Sequence, residues 1–194
     1  MARRACQATG LRYYIRKVGV ADQEVTQRLK RLVTIVGKLD REPQMALSRM
    51  EDIGGVRVIV ENQHQVDKIV AELERQPRWK LRRVRRYVDG GRPGPKSDGY
   101  RAVHVVVEKG GYFVEIQLRT PFQNTWAQSV EQDTRRLSEG LKFGMGPADL
   151  REYYLAISHM FAMRERNEPL PSDFMERLAE LFAGTRRFYS EEQS

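Results

Sequence analysis

The sequence predicts an α+β fold in which a mixed central β-sheet is flanked by helices. Two observations carry this prediction: segments alternate in the order helix, strand, helix and then three strands, and a run of helices follows them. Forty per cent of the 194 residues are hydrophobic, which is enough to form a real core. We expect one domain with a short appendage, because 194 residues are too few for two full domains.

The first half of the chain predicts two helices and two strands. Apolar residues at helical spacing predict one helix over 22–39 and a second over 65–75. The β-branched run 56–60 predicts a buried strand, and the basic run 80–88 predicts another. Residues 89–95 contain three glycines and two prolines, so regular structure should stop there.

The second half predicts a β-hairpin followed by helices. Two strand-like runs, 102–108 and 112–118, are joined by Lys109-Gly110-Gly111, a typical hairpin connection. The helices expected after the hairpin cover 122–141, 149–166 and 172–182.

These elements divide the chain into three expected parts. They are an N-terminal helical segment over 1–23, a main domain over 24–146 and a helical C-terminal extension over 147–194. The extension could pair two subunits into a homo-oligomer, bind a neutralising protein or cap the sheet. The sequence leaves these three roles open.

Charge and composition indicate which classes of partner and which cell compartment to expect. The net charge of +8 favours anionic partners such as nucleic acid or nucleotide phosphates. The eight basic residues from Arg78 to Lys96 predict a local cationic surface. No apolar run approaches the ~18 residues of a membrane span, so no membrane partner is expected. The single cysteine, Cys6, excludes an internal disulfide and predicts a cytoplasmic protein.

A first group of candidate site residues lies near residue 30. Lys30, Thr34 and Lys38 are spaced i, i+4, i+8 and would form one stripe on a helix. Two ammonium groups beside a hydroxyl can hold a polyphosphate. A solvated helix face would have the same spacing, and Arg28 would point elsewhere unless the helix begins after it.

A second group surrounds a glycine turn. Asp52 precedes Gly54 and Gly55 and the buried strand, which would place a carboxylate at the sheet edge. Such an acid could bind Mg²⁺, which prefers oxygen ligands, or it could stabilise the turn. Arg57 lies within the apolar strand and needs a partner or a flat surface to stack on.

A third group lies on the hairpin. On a strand, Glu115, Gln117 and Arg119 share one face, and their apolar neighbours share the other. Three large polar groups in a row predict a wet, functional side of the sheet. Tyr100 and His104 enter the paired strand close by, which favours function over an ordinary exposed face.

The motifs occur in a fixed order and spacing. They are Arg28-x-Lys30-x3-Thr34-x3-Lys38, Asp52-Ile-x-Gly-x-Arg57, Lys96-x-x-Gly-Tyr100-Arg-x-x-His104, Glu115-Ile-Gln-x-Arg-Thr120 and Asn124-x-Trp126-Ala127. Together they resemble the synthetase domain of the RelA/SpoT family, the ATP-dependent alarmone synthetases, over roughly residues 24–140. The resemblance implies a nucleotidyltransferase-like fold with C-terminal helices. The hydrolase domain of long members is absent from this sequence, which indicates a small, synthesis-only member.

The resemblance also implies an activity and a donor site. The activity is a pyrophosphokinase that moves the β,γ-diphosphate of ATP to a ribose 3′-hydroxyl with Mg²⁺. The residues implied for ATP are Arg28 and Arg57 around the adenine, and Lys30, Thr34 and Lys38 on the phosphates. Asp52 would bind Mg²⁺, and Glu115 would be a second ligand or the base that takes the hydroxyl proton.

The acceptor site is implied in the same way. Tyr100 would stack on the acceptor base, and Asn124 would read the guanine edge. The residues implied for acceptor phosphates or ribose are Lys96, His104 and Gln117. The family often has asparagine where this chain has Asp98, which adds a negative charge near a phosphate-bearing acceptor.

Three functions remain open. A GDP or GTP acceptor, giving (p)ppGpp, ranks first because Asn124 is specific for guanine. The second resembles toxic small synthetases of toxin–antitoxin and phage-associated modules, which pyrophosphorylate the 3′-CCA end of tRNA or make (p)ppApp. The basic run with Arg83 and Arg85 favours a tRNA acceptor, and this reading implies an antitoxin partner. The third is a non-catalytic RNA-binding module, against which Asp52 and Glu115 argue because carboxylates repel phosphate.

Overall fold

The structure is a computed structural model of the 194-residue chain. The residues it describes are 2–20, 24–30, 32–44, 46, 50, 53–109, 111–137, 141 and 145–189. Among them the chain forms five strands and six α-helices. The predicted α+β class with a mixed central sheet is confirmed, with one strand more than expected.

The elements have the following bounds. The strands are β1 (Glu24–Leu29), β2 (Gly54–Ile59), β3 (Lys80–Tyr87), β4 (Ala102–Lys109) and β5 (Tyr112–Arg119). The α-helices are α1 (Ala2–Lys17), α2 (Leu32–Arg41), α3 (Gln63–Arg75), α4 (Pro121–Arg136), α5 (Ala148–Glu165) and α6 (Phe174–Thr185). A short 3-10 helix, Arg186–Phe188, follows α6. None of the described helices is both long and apolar enough to cross a membrane.

The strands form one sheet in the order β1-β2-β5-β4-β3. The pair β2–β5 is parallel, whereas β1–β2 and β4–β5 are antiparallel, which makes the sheet mixed. The chain divides into two compact units. We call them the sheet unit (Met1–Arg86 with Ala102–Thr120) and the helical unit (Tyr87–Arg101 with Pro121–Ser194). The domain limits expected at residues 23 and 146 stay predictions.

The core of the sheet unit lies between α3 and the apolar face of the sheet. On β5, Val114, Ile116 and Leu118 alternate with polar residues and are at most 2% exposed. The apolar residues that α3 buries at helical spacing are Val66, Ile69, Val70 and Leu73. Burial of one such side chain stabilises the fold by about 1.5–3 kcal/mol. The helix therefore fixes the β5 strand whose other face is polar.

The helical unit has an aromatic core between α4 and α5. Its buried members are Trp126, Val130, Leu141, Leu150 and Tyr154. The indole Nε1 of Trp126 donates to the Tyr154 carbonyl at 2.7 Å, and the Tyr154 hydroxyl donates to Asp133 at 2.6 Å. Burial and this hydrogen bond raise the pKa of Tyr154 above its ordinary value. Because the Trp126 indole N–H and the Tyr154 hydroxyl are both paired, these two rings have fixed orientations.

The helix predicted over 22–39 is wrong in its first part. Glu24–Leu29 instead forms β1, which pairs antiparallel with β2 along its whole length, and α2 begins only at Leu32. Pairing with β2 satisfies the backbone hydrogen-bonding groups of this segment and overrides the local apolar spacing. The helix predicted over 122–141 also ends earlier than expected, at Arg136.

Candidate functional site

Strand register brings five predicted site residues to one face of the sheet unit. Residues directly opposite each other on paired strands share a face. One row across β1, β2, β5 and β4 contains Thr26, Arg57, Gln117 and His104. The adjacent row contains Arg28, Gly55, Glu115 and Val106. We call the side defined by Arg28, Arg57, His104, Glu115 and Gln117 the polar face.

Glu115 lies at the centre of the polar face. Its Oε1 is 3.0 Å from Nδ1 of His104, and its Oε2 accepts a hydrogen bond from Nε2 of Gln117 at 2.8 Å. Nη1 of Arg28 lies 3.8 Å from the same Oε2. These contacts come from three strands, so the carboxylate depends on correct pairing of β1, β5 and β4.

The surroundings of Glu115 keep it ionised. Burial alone raises the pKa of Glu115, because the charged form loses water. The hydrogen bond and charge of His104, the Gln117 amide and the Arg28 guanidinium oppose burial and lower this pKa to about 2. Since the ordinary value is 4.5, the glutamate carries its negative charge at any physiological pH.

The polar face is less exposed to solvent than the sequence predicts. Gln117 and Arg119 are each only 5% exposed, and Nη2 of Arg119 lies 3.4 Å from Oε1 of Gln117 as a hydrogen-bond donor. The expectation of a solvated row is therefore wrong at these two residues. Large polar side chains are tolerated there because they pair with one another along the strand.

The residues expected to hold phosphates belong to two elements. Lys30 follows β1, and its backbone N–H donates to the carbonyl of Ile53 at 3.1 Å. Thr34 and Lys38 lie on α2, so the three residues do not form a single helical stripe, contrary to the prediction. The Lys30 and Lys38 side chains are half-buried. Asp52 lies outside the described residues.

The predicted cationic surface lies along β3, which is an edge strand of the sheet. Arg83 and Arg85 are exposed. Arg82 is ion-paired with Glu108 of β4. Part of the positive charge of this strand is therefore neutralised within the chain.

In the helical unit, two predicted acceptor residues lie on Tyr87–Arg101, the last residue of β3 and the loop after it, which we call the 87–101 loop. Nζ of Lys96 lies 5.0 Å from the ring centroid of Tyr100 and 5.1 Å from that of Tyr87. The Tyr100 ring also packs edge-on against Trp126, with centroids 6.2 Å apart. An ammonium group between two rings is held by cation–π attraction, which fixes its position relative to Tyr100.

Asn124 lies on α4 of the helical unit and is only 8% exposed. Its Oδ1 is buried and has no hydrogen-bond partner among the residues that the structure describes. A buried acceptor without a donor costs about 1–3 kcal/mol. Such an atom is suited to accept a hydrogen bond from a ligand.

The chain matches a known family over residues 27–136, which is more than half of its 194 residues. The matching family is described as the region found in RelA / SpoT proteins. This chain belongs to the RelA/SpoT family. An uncharacterised protein of Mycobacterium tuberculosis (strain H37Rv) is 31% identical to it over 133 residues. This match covers 65% of the RelA/SpoT chain and 45% of the mycobacterial protein, so the chain spans less than half of that relative.

Solved structures share the fold of this RelA/SpoT chain. The small alarmone synthetase 2 of Bacillus subtilis has a TM-score of 0.71 at 20% identity, covering 84% of this chain and 89% of that one. The small alarmone synthetase 1 of Bacillus subtilis, bound to its product pppGpp, has a TM-score of 0.62 at 22% identity. That match covers 82% of this chain and 79% of the other.

Asp98 has a local structural role in this RelA/SpoT chain. Its Oδ1 accepts a hydrogen bond from the backbone N–H of Tyr100 at 2.9 Å. An asparagine at this position would offer an equivalent oxygen acceptor. Either residue can therefore hold the turn that presents Tyr100.

The sequence did not identify three polar residues that support the 87–101 loop. Arg101 bonds to Glu165, and Ser158 bonds to the carbonyl of Gly99. These contacts join residues 64 and 59 positions apart. No local signal predicts such pairs, because they depend on where α5 packs.

Strands β2 and β5 approach each other so closely that position 55 requires a glycine, and this gives a testable prediction. A Cβ on Gly55 would lie 2.7 Å from the backbone oxygen of Glu115, whereas a Cβ on Gly54 would meet nothing within 4 Å. We expect Gly55→Ala to displace β5 and lower the free energy of unfolding by about 1–3 kcal/mol. Gly54→Ala is the matched control and should cost less than about 1 kcal/mol. Equal losses in denaturant titrations of the two variants would contradict this role.

Proposed function

We propose that this chain transfers the β,γ-diphosphate of ATP to the ribose 3′-hydroxyl of GDP or GTP, giving (p)ppGpp. The 3′-oxygen attacks the β-phosphorus, the bond from that phosphorus to the oxygen bridging the α- and β-phosphates breaks, AMP leaves with the bridging oxygen, and the hydroxyl proton passes to water. The observation that carries the proposal is the ionised Glu115 among Arg28, His104 and Gln117, inside the segment that matches the family.

The cations of the sheet unit suit a triphosphate donor. Arg28 and Arg57 lie in adjacent rows of the polar face, and planar guanidinium groups stack on a purine. Lys30, Thr34 and Lys38 are the proposed phosphate ligands. Transfer of this kind depends on positioning and charge neutralisation more than on covalent chemistry. These residues can supply both.

A magnesium ion fits the chemistry of this face. Glu115 offers an ionised carboxylate, and oxygen anions are the ligands that Mg²⁺ prefers. We propose Glu115 and Asp52 as the residues that hold it. When bound, the ion would neutralise charge on the phosphates. Because Glu115 stays ionised, its carboxylate can also accept a hydrogen bond from the attacking 3′-hydroxyl and orient it.

The helical unit supports a guanosine acceptor. Tyr100 offers a ring on which a base can stack, and such stacking contributes about 1–3 kcal/mol to binding. Lys96 is held beside that ring. The buried Oδ1 of Asn124 can accept from the ring N–H of guanine, a donor that adenine lacks at the same edge. His104 and Gln117 are proposed to contact acceptor ribose or phosphate. The Bacillus relative that binds pppGpp is consistent with this choice.

The proposal is tested by offering the protein different acceptors. We would incubate it with γ-labelled ATP and Mg²⁺, adding GDP, GTP, AMP, ADP or bulk tRNA in separate reactions, and resolve the labelled products. We expect label on GDP and GTP at least about tenfold faster than on the adenosine nucleotides.

Each other outcome assigns a different function. Preferred labelling of AMP or ADP would replace the guanosine acceptor by an adenosine acceptor. Preferred labelling of tRNA would favour the toxic small synthetases, for which the exposed Arg83 and Arg85 would supply phosphate contacts. No labelling of any acceptor, with retained binding of tRNA, would leave an RNA-binding module.

A further inference from the structure

Helix α5 holds the 87–101 loop on both sides of Tyr100. Oγ of Ser158 donates to the carbonyl of Gly99 at 2.6 Å, and Oε2 of Glu165 accepts from Nη1 of Arg101 at 2.8 Å. Residues seven positions apart on a helix lie on nearly the same face, about 10.5 Å apart along its axis. One face of α5 therefore contacts the residue before Tyr100 and the residue after it.

Both contacts are shielded from water. Ser158 is 3% exposed, Arg101 is 8% exposed, and the Glu165 side chain is 13% exposed. Nε2 of Gln123 lies 3.4 Å from Oε2 of Glu165 as a further donor. Buried hydrogen bonds and ion pairs are costly to break, because the group left behind loses its partner without regaining water.

The loop also closes on itself near the same helix. Nη2 of Arg101 lies 3.6 Å from Asp89 at the beginning of the loop, and Asp89 is ion-paired with Arg166 just after α5. Both ends of the loop are thereby tied to the C-terminal end of α5. With its neighbours fixed, the Tyr100 ring has little freedom to move away from the base that it would stack on.

We propose that Ser158 and Glu165 are positioning residues for the acceptor nucleotide and that they act through Tyr100. This inference rests on the proposed function, because it assigns the acceptor base to the Tyr100 ring. Neither residue is proposed to touch a substrate. They hold the backbone on either side of the ring, so their loss should weaken acceptor use and leave ATP use unchanged.

The test measures KM separately for GDP and ATP in Ser158→Ala and Glu165→Gln. We expect each variant to raise KM for GDP about fivefold, because Ser158→Ala removes a hydrogen bond and Glu165→Gln removes the negative charge from another. KM for ATP should stay within about twofold of the parent value. Ser129→Ala on α4 and Glu180→Gln on α6 are matched controls at positions outside this contact set, and both KM values should be unchanged.

A double substitution separates positioning from a general structural role. In a Tyr100→Leu background, Ser158→Ala should raise KM for GDP by less than about twofold, because the ring through which it acts is gone. Additive effects, or a parallel rise in KM for GDP and ATP, would overturn the inference. A parent that transfers nothing to GDP would remove the proposed function and this inference together, whereas an active parent with unaltered variants would remove this inference alone.

Discussion

Glu115→Gln should lower the rate of diphosphate transfer by at least about 100-fold. Glutamine has nearly the same shape, so the core should not be disturbed, but the negative charge at the centre of the polar face is lost. A neutral amide is a poor ligand for Mg²⁺ and a weaker hydrogen-bond acceptor for the attacking hydroxyl. ATP binding should stay within a few-fold of the parent, because the proposed adenine and phosphate ligands are untouched.

The measurement combines initial rates with a titration of ATP followed by calorimetry. Glu108→Gln is the matched control: Glu108 lies on β4, is paired with Arg82, and makes no contact proposed for the reaction. Its transfer rate should remain within a few-fold of the parent. If Glu115→Gln keeps a similar rate, Glu115 has no role in the chemistry. If it loses ATP binding as well, its role is in donor binding.

Gly99→Ala should produce the second large effect, a loss of both folding stability and acceptor use. Gly99 has φ +88°, and a Cβ there would lie 3.0 Å from Cβ of Ser158 and 3.2 Å from Cζ2 of Trp126. The left-handed backbone costs about 1–2 kcal/mol for alanine. Overpacking against α5 and the indole should add about 1–3 kcal/mol. The displaced loop should also raise KM for GDP, because Tyr100 is the next residue.

Gly94→Ala measures the cost of the positive φ to folding stability without the overpacking. Gly94 has the same φ of +88°, but the nearest atom to its Cβ would be the Gly91 oxygen at 3.8 Å. Chemical denaturation should therefore show that Gly94→Ala lowers the free energy of unfolding by about 1–3 kcal/mol less than Gly99→Ala does. Equal losses in the two variants would mean that the contact between Gly99 and α5 contributes nothing.

The sequence predicts the polar face because strand alternation is a local property. Glu115 and Gln117 are two positions apart, so they share a face in any strand. Their pairing with His104 and Arg57 follows from strand register, which the sequence does not give directly. The motif spacing of the family implies, as local patterns cannot, that these residues lie together, and strand register places them on one face of the sheet.

Long-range packing explains where prediction from sequence fails. Lys30 has helical spacing to Thr34, yet residues 24–29 before it pair with β2 as strand β1, so Lys30 lies outside α2. The burial of Gln117 and the hydrogen bond from Ser158 to the Gly99 carbonyl depend on tertiary packing. Because Ser158 and Gly99 are 59 positions apart, no local sequence pattern predicts their contact.

The proposed activity requires this polar face to direct a diphosphate, and not a single phosphate, to an acceptor hydroxyl. ATP labelled at the β-phosphorus tests it directly with GDP as acceptor. Diphosphate transfer moves the label onto the guanosine product and releases one unlabelled AMP for each product formed. Label that stays in ADP, with the γ-phosphate alone transferred, would contradict the claim, as would label that never leaves ATP.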